Sequence, residues 1–370
     1  MTAPIAIIGG NIAGLSAAYH LSRKGCPVMV FETKIWNKPC GGAVTSEFAK
    51  YLAKDLGIEF KPSSPAIPRV NFGFQTGRHV QTGQIFTIIS RIDLQAQLME
   101  RLRKEHNIGI ALKRITLKDH DLFTPQTVLA TGYSGFTKQI IKHHWFQREH
   151  LLALKYEGKS NDICSTQAHL IVFDSRLKGY GWVFIEGQHR FNIGIGGMTR
   201  NSAIYQEFIK FTEHIRLYYN YPANIPSNNP GLGKVPVVLK PWEYPLSFFK
   251  DGIEFIGAGD VLGMAHPILA AGIEPAWQSG WLLAESYDPA NHWIDTNKYR
   301  RLIQVNQQLT SRKPIDLLIS KMLRNRFIPF QEEMSFFLLK LLKNRVIHRL
   351  KQYPWFAMVH DGTRKTGFRI

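Results

Sequence analysis

Three cysteines in 370 residues, Cys26, Cys40 and Cys164, are too few and too irregularly spaced for a disulfide framework or a zinc site, which fits a reducing compartment. No run approaches the roughly eighteen consecutive apolar residues of a spanning helix. The start, Met1 to Gly10, lacks the basic region, apolar core and small-residue cleavage site of a secretory signal. The expectation is a cytoplasmic protein, with peripheral contact at the inner face of the membrane as its one approach to lipid. Internal repeats and low-complexity tracts are missing too, which excludes solenoids and tail-like linkers. Acids are scarce: 28 Asp and Glu stand against 46 Lys and Arg, a net charge of +18. Such a surplus favours nucleic acid or an anionic membrane surface as partner. The surplus is uneven, because residues 291–370 hold sixteen Lys and Arg against five acids. No nucleic-acid motif accompanies it, so nucleic acid is not the expected partner. What is present is 44% apolar and 12% aromatic content, enough to bury a core in two or three structural parts.

The chain opens with an apolar strand (Pro4 to Ile8), a helical pattern (Ile12 to Lys24) and a second strand (Val28 to Phe31) ending in an acid, a βαβ unit. Ser63 to Ile89 is strand-like and turn-rich, and Asp93 to Glu105 reads as a charged amphipathic helix. Between residues 150 and 200 the runs Leu170 to Phe173, Gly181 to Ile185 and Arg190 to Ile195 alternate as antiparallel strands do. A Pro- and Asn-rich connector, Tyr221 to Pro230, leads to a strand (Ile253 to Ile256), a Gly-rich turn and a helix, with helical pattern from Asp288 to about Tyr353. The predicted class is α/β: a Rossmann-like nucleotide-binding domain from 1–62, 90–145 and 240–290, an antiparallel β substrate domain from 63–89 and 146–239, and a basic helical part, 291–370.

The first turn reads Gly9-Gly10-Asn11-Ile12-Ala13-Gly14, with Glu32 and Thr33 closing the next strand. Gly9 permits a tight turn, the helix N-terminus offers free N–H groups and a positive dipole end to a pyrophosphate, and Gly14 lets helix and strand approach. Glu32 suits the adenosine ribose and repels a 2′-phosphate, which argues against NADP at this site. The fingerprint's second glycine is Asn11 here, a side chain that tolerates positive φ but narrows the approach to phosphates. A Gly-rich turn without ligand is the competing reading.

A second turn, Gly257-Ala258-Gly259-Asp260 with Pro267 and Ala270-Ala271-Gly272-Ile273, is one that NAD enzymes do not need and a flavin does. Asp260 would hydrogen-bond a ribityl hydroxyl, and the N–H groups near Gly272 and Ile273 would face the flavin's N1 and C2 carbonyl. Ala130-Thr131-Gly132 and Arg91 suit the cofactor's flank. An ordinary strand-to-helix turn before a core helix is the plain alternative; the combination points to FAD. No separate nicotinamide site is legible, so NADPH, NADH and ferredoxin all stand open as the external donor.

With these segments placed, the chain resembles the geranylgeranyl reductase family, within the FAD-dependent monooxygenase-like flavoproteins of the glutathione-reductase and p-hydroxybenzoate-hydroxylase type. The resemblance rests on Ile7 to Glu32, on Lys38-Pro39-Cys40-Gly41-Gly42, on Gly179-Tyr180-Gly181-Trp182-Val183-Phe184 with Asn192-Ile193-Gly194-Ile195-Gly196, and on Gly257 to Gly280. It implies an FAD domain with an antiparallel substrate sheet, Gly42 beside the cofactor, and hydride delivery to double bonds of a polyprenyl lipid. Cys40 would then lie near flavin and alkene, with Tyr180, Trp182 and Phe184 lining an apolar cavity. Ile185 stands where the family usually has proline, and Ala270-Ala271 where Gly-Glu is usual.

Reducing an unactivated double bond takes hydride from the flavin and a proton on the other carbon, in a dry pocket. Cys40 is a candidate donor or positioning group, or simply a small buried residue beside glycines; His266 is a second donor candidate, or a turn histidine bound to backbone. Tyr180 and Trp182 on a half-buried strand also suit a plain core. The rival activity is a flavin monooxygenase, hydroxylase or halogenase, in which reduced flavin activates oxygen against an apolar or aromatic substrate. Ala130-Thr131-Gly132 replaces the Asp-Gly pair of many NADPH-using hydroxylases, and Gly181-Trp182-Val183-Phe184-Ile185 departs from the Trp-x-Trp-x-Ile-Pro of tryptophan halogenases. A flavin-bearing membrane or electron-carrier protein with no substrate of its own is a third reading. Lys321 to Lys351 mixes apolar and basic residues as membrane-surface helices do, or as a helical cap with a solvated basic face does.

Overall fold

The computed structural model describes residues 3–34, 38–58, 70–74, 78–81, 86–141, 150–159, 168–172, 179–185, 190–197, 201–219, 221, 230–238, 243–265 and 270–311. The chain passes between two compact units. The first is built from Met1–Asn37, Arg91–His150 and Val235–Ser311, the second from Lys38–Ser90 and Leu151–Lys234. In chain order the first unit begins with β1 (Ile5–Ile8), α1 (Ile12–Arg23) and β2 (Val28–Glu32), and the second with β3 (Ala43–Thr45), α2 (Ser46–Leu56), β4 (Val70–Phe74), β5 (His79–Gln81) and β6 (Phe86–Ile88). The chain returns to the first through α3 (Arg91–Leu102), β7 (Ile108–Leu112), β8 (Gln126–Leu129) and α4 (Gly135–Ile140). It crosses again for β9 (His150–Lys159), β10 (Ala168–Val172), β11 (Gly179–Ile185), β12 (Arg190–Gly197), α5 (Asn201–Tyr219) and β13 (Gly231–Pro236). It ends, among the described residues, with β14 (Ser247–Lys250), β15 (Ile253–Gly257), α6 (Ile273–Glu285), β16 (Tyr287–Asp288), β17 (Trp293–Ile294) and α7 (Thr296–Ser311).

The first unit carries a six-stranded sheet in the order β14-β15-β8-β1-β2-β7, parallel except for β14. Every residue of β1 and β8 is buried, the pattern of a parallel sheet covered on both faces. The strand order turns back between β1 and β8, so the carboxyl ends of these two strands form the switch point at which such sheets bind ligands. One face is filled by Ile8, Phe31, Leu129, Phe248 and Phe255 with Ile140 and Ile141. On α1 every residue but His20 and Arg23 is buried. It packs on α6 with no side chain between them at Gly280, where an added Cβ would lie 2.5 Å from the Ala13 carbonyl oxygen.

The second unit carries a seven-stranded sheet, β13-β9-β12-β11-β10-β4-β5. Its alternation is sharp in β11. Gly181, Val183 and Ile185 face α5, where Ile204, Phe208, Phe211 and Ile215 close a core over Leu152, Leu154, Ile193 and Ile195. The period of two puts Tyr180, Trp182 and Phe184 on the opposite face.

Four details depart from the sequence reading. The second sheet is not purely antiparallel, because β4 and β10 run parallel. Residues 38–62, expected in the nucleotide domain, contribute their described part to the second unit, and 291–311 belong to the first. The charged helix starts at Arg91 instead of Asp93, so Arg91 opens it. After Asp288 the chain first makes the β16–β17 pair before its helix. Most of the connector 221–230, and all of Lys321 to Lys351, lie outside the described residues.

Candidate active site

In the first unit the predicted cofactor residues converge on the β1/β8 switch point. Gly9 has φ +103, a conformation closed to ordinary side chains, and a Cβ there would stand 2.6 Å from the Ala130 carbonyl oxygen. Its N–H donates to Phe31 O at 2.8 Å, and Ala130 N donates to Ile8 O at 2.8 Å, which pins the turn between β2 and β8. Asn11 proves to need no positive φ: at φ −89 and ψ −173 it is the N-cap of α1, accepting from Ala13 N at 3.1 Å on Oδ1 and donating through Nδ2 to Ala130 O. The side chain that replaces the fingerprint glycine is thus folded back onto its own helix and onto β8. Ile12, Ala13 and Gly14 form the buried first turn behind it.

Glu32 ends β2 buried, its Oε1 accepting from Thr33 N at 2.7 Å and Thr33 Oγ1 at 3.2 Å. Its Cβ would meet any side chain at Gly10, 2.9 Å away. Across the turn, α3 supplies a residue that sequence reasoning missed: Gln95, fully buried, donates from Nε2 to Gly10 O at 2.8 Å, while its Oε1 has no partner among the described residues. Arg91 heads the same helix.

The second turn sits against the first. A Cβ on Gly259 would touch Ala13 Cβ at 2.8 Å, and Gly259 N donates to Ser279 Oγ at 2.8 Å. Asp260 lies between two glycines: Cβ atoms built on Gly132 and Gly272 fall 3.7 Å and 3.6 Å from its side chain. Thr131 Oγ1 and Thr137 Oγ1 are 2.5 Å apart, and Thr137 also donates to Gly132 O at 2.7 Å, which fixes the Ala130-Thr131-Gly132 bend. Gly272 is the N-cap of α6 and gives it no side-chain cap, so Ala271, Gly272 and Ile273 present bare backbone at a positive helix end. His266 and Pro267 lie outside the described residues.

The remaining predicted residues meet in the second unit. Across β11 and β12, Trp182 pairs with Gly194, Tyr180 with Gly196 and Phe184 with Asn192. The three rings follow one another at centroid spacings of 6.4 Å. The half-buried Cys40 lies in a strap, Pro39 to Gly42, laid over this face. A Cβ on Gly41 would stand 2.9 Å from Phe184 Cε2, Asn192 donates to the Cys40 carbonyl at 2.9 Å, and Pro39 abuts the backbone at Gly231 and Gly233. Gly42, with φ +75, passes directly over the Ile89 carbonyl and accepts from Ile89 N at 2.8 Å. It belongs to this unit, whereas the other described cofactor residues belong to the first. Desolvation pushes the Tyr180 phenol well above its ordinary ionisation, and Cys40 pushes the same way.

Residues 7–66 match the model of an NAD(P)-binding Rossmann-like domain, the stretch that holds the first turn. Over 224 residues the chain is 25% identical to a digeranylgeranylglycerophospholipid reductase of Sulfolobus acidocaldarius, covering 52% of this chain and 50% of that one. A geranylgeranyl bacteriochlorophyll reductase-like structure from Thermoplasma acidophilum superimposes with a TM-score of 0.63 at 16% identity, over 92% of this chain and 98% of that one. The chain is similar, in sequence and in fold, to members of the geranylgeranyl reductase family. This is a family of FAD-binding oxidoreductases, and the first unit has the fold that such a cofactor takes. The geranylgeranyl reductase likeness to the Sulfolobus protein spans only half of that protein's length. A menaquinone reductase of Mycobacterium tuberculosis, 22% identical over 348 residues, aligns with 83% of each chain. A flavin-dependent brominase shares the fold, with a TM-score of 0.67 at 15% identity over 97% of both chains.

Proposed function

We propose that this protein is an FAD-dependent oxidoreductase of the geranylgeranyl reductase type that reduces carbon–carbon double bonds of an apolar polyprenyl or polyene substrate. The observation that carries the reading is the aromatic face of Tyr180, Trp182 and Phe184 with the Cys40 strap tied onto it. A cofactor-only carrier has no need of such a surface.

The first unit fits the dinucleotide on its own geometry. Gly9, Gly10 and Gly259 stand where side chains would collide with the cradle's walls, the acceptor Oε1 of Gln95 has no partner among the described residues, and α6 begins without a side-chain cap. Bound there, reduced FAD supplies the hydride. Gly9 to Gly14 would hold the pyrophosphate, Glu32 the ribose, Asp260 a ribityl hydroxyl, and the first turn of α6 the electron-rich edge of the ring. Arg91, Thr131 and Gly132 would flank it.

The proton for the second carbon must come from a group that stays protonated in a dry pocket. Tyr180 keeps its O–H across the working pH range, because burial disfavours the phenolate. It would offer a hydrogen bond and never act as base. Cys40 is the proposed donor, with His266 the second candidate, and Trp182 and Phe184 would exclude water from the chain being reduced. The printed names of relatives, a digeranylgeranylglycerophospholipid reductase and a menaquinone reductase, support a lipid-like substrate. Peripheral contact of the basic stretch 321–351 with anionic membrane belongs to the same proposal.

The test is flavin reoxidation followed by stopped-flow without oxygen, after chemical reduction of the FAD-loaded protein. Reoxidation that begins only when a polyprenyl lipid is added supports the reductase. A flavin that stays reduced with every lipid and reoxidises only when oxygen enters would replace it with a monooxygenase or halogenase reading.

A further inference from the structure

We infer that Asn192 is a positioning residue: its one amide couples the indole of Trp182 to the backbone of Cys40, so that the thiol's place on the aromatic face is set by Trp182. The inference rests on the reading above, in which Cys40 serves the reduction.

The indole nitrogen can only donate, and Trp182 Nε1 donates to Asn192 Oδ1 at 2.9 Å. Carbonyl oxygens can only accept, and Asn192 Nδ2 donates to Cys40 O at 2.9 Å and to Gly41 O at 3.4 Å. The amide therefore has one possible orientation. Turned over, it would set N–H against N–H and carbonyl against two carbonyls. Asn192 is 1% exposed, so water cannot take over either role. On either side of Cys40 the strap is held by other means: Pro39 lies against Gly231 and Gly233, and Gly42 crosses Ile89 and accepts from its N–H at 2.8 Å. At the thiol itself, among the described residues, the hydrogen bond is weak, from Gly42 N to Cys40 Sγ at 3.4 Å. The Cys40 backbone thus decides where the sulfur points, and Asn192 decides where that backbone lies. A chain packed on the Trp182 ring would be sensed at Cys40 through a single buried side chain.

Asn192→Asp keeps the shape and tests the donor. Ionised, the carboxylate opposes two carbonyls; protonated, it regains an O–H for Cys40 O and an acceptor for Trp182. Burial and those carbonyls raise its ionisation, so lowering the pH restores the relay. The readout is the rate at which iodoacetamide alkylates Cys40 in the FAD-loaded protein, measured on the Cys40 peptide by mass spectrometry and divided by the wild-type rate at the same pH. We expect a ratio of about ten at pH 8 for Asn192→Asp, falling toward one near pH 6. Asn192→Ala and Trp182→Phe, which keeps an aromatic ring without the donor, should be raised at both pH values. Ratios of one in Asn192→Ala and Trp182→Phe, or a ratio for Asn192→Asp that ignores pH, overturn the inference. Should Asn192→Asp fail to fold, the Trp182→Phe ratio alone decides. The alkylation rates need no lipid, so a wild type that reduces no lipid sinks the functional reading and leaves this test standing.

Discussion

Gly280→Ala sets two effects against each other. In an open helix interior the change gains about 1 kcal/mol, because alanine has the better helix propensity. At position 280 the new Cβ would stand 2.5 Å from Ala13 O, 2.6 Å from Ala17 N and 2.8 Å from Ser16 Cβ. Two of the three are backbone atoms of α1, which cannot rotate away, so α6 must back off by roughly 0.7 Å at a cost of about 1–3 kcal/mol. The clash outweighs the propensity, and the expected result is a net loss of up to about 2 kcal/mol. The same displacement pulls Gly259 N from Ser279 Oγ and lifts the Gly259 turn off Ala13, so FAD should bind about tenfold more weakly. Gly135→Ala is the control: Gly135 opens α4 with nothing within 4 Å of a built Cβ, and it should leave stability unchanged or slightly raised. Urea unfolding midpoints and FAD fluorescence titration measure both quantities. A Gly280→Ala protein as stable as wild type with unchanged FAD affinity would refute the account of how α1 and α6 build the cradle.

Other predictions use the same reasoning. Asn11→Ala should lose about 1 kcal/mol, whereas Asn11→Gly, which completes the fingerprint, should lose only a few tenths because glycine is a tolerable N-cap; thermal unfolding separates them. Gln95→Met should weaken FAD binding severalfold in titration, since Gly10 O then lacks its buried donor. His20 is held down to about 3 by desolvation first and by Lys24 and Arg23 after it. Its folded form resists the proton that the unfolded chain takes up below about 6.5, so stability falls as pH drops from there toward 3. His20→Gln should flatten that part of a stability-against-pH profile. If the basic stretch 321–351 contacts membrane, sedimentation with anionic vesicles should weaken as salt rises and vanish with neutral ones.

The nucleotide cradle was legible because its signal is local. A short apolar strand, a glycine turn and a helix follow one another from Ile5 to Arg23, and Gly257 to Ile273 repeats that order. What completes the cradle comes from far along the chain. Gln95 reaches Gly10 across 85 residues and Asn11 reaches Ala130 across 119, pairings that no spacing rule announces. Asn11 stands at the fingerprint's second glycine and acts as a cap, the ordinary preference of asparagine at a helix start. The alternation of β11 gave its strand, but its two-sided use depended on α5 covering the Val183 face, which leaves Tyr180, Trp182 and Phe184 on the other. The Asn192 link to Cys40 spans 152 residues and was invisible for the same reason. The parallel β4–β10 pair arises from strands about a hundred residues apart, where alternation specifies a strand and not its partner.

The central claim is that this chain reduces double bonds, and the lipid itself reports on it. A single turnover of the pre-reduced, FAD-loaded protein with a polyprenyl lipid in the absence of oxygen, analysed by mass spectrometry, should yield lipid carrying one added pair of hydrogens for each flavin oxidised. Unchanged lipid beside a flavin that stays reduced until oxygen is admitted would contradict it.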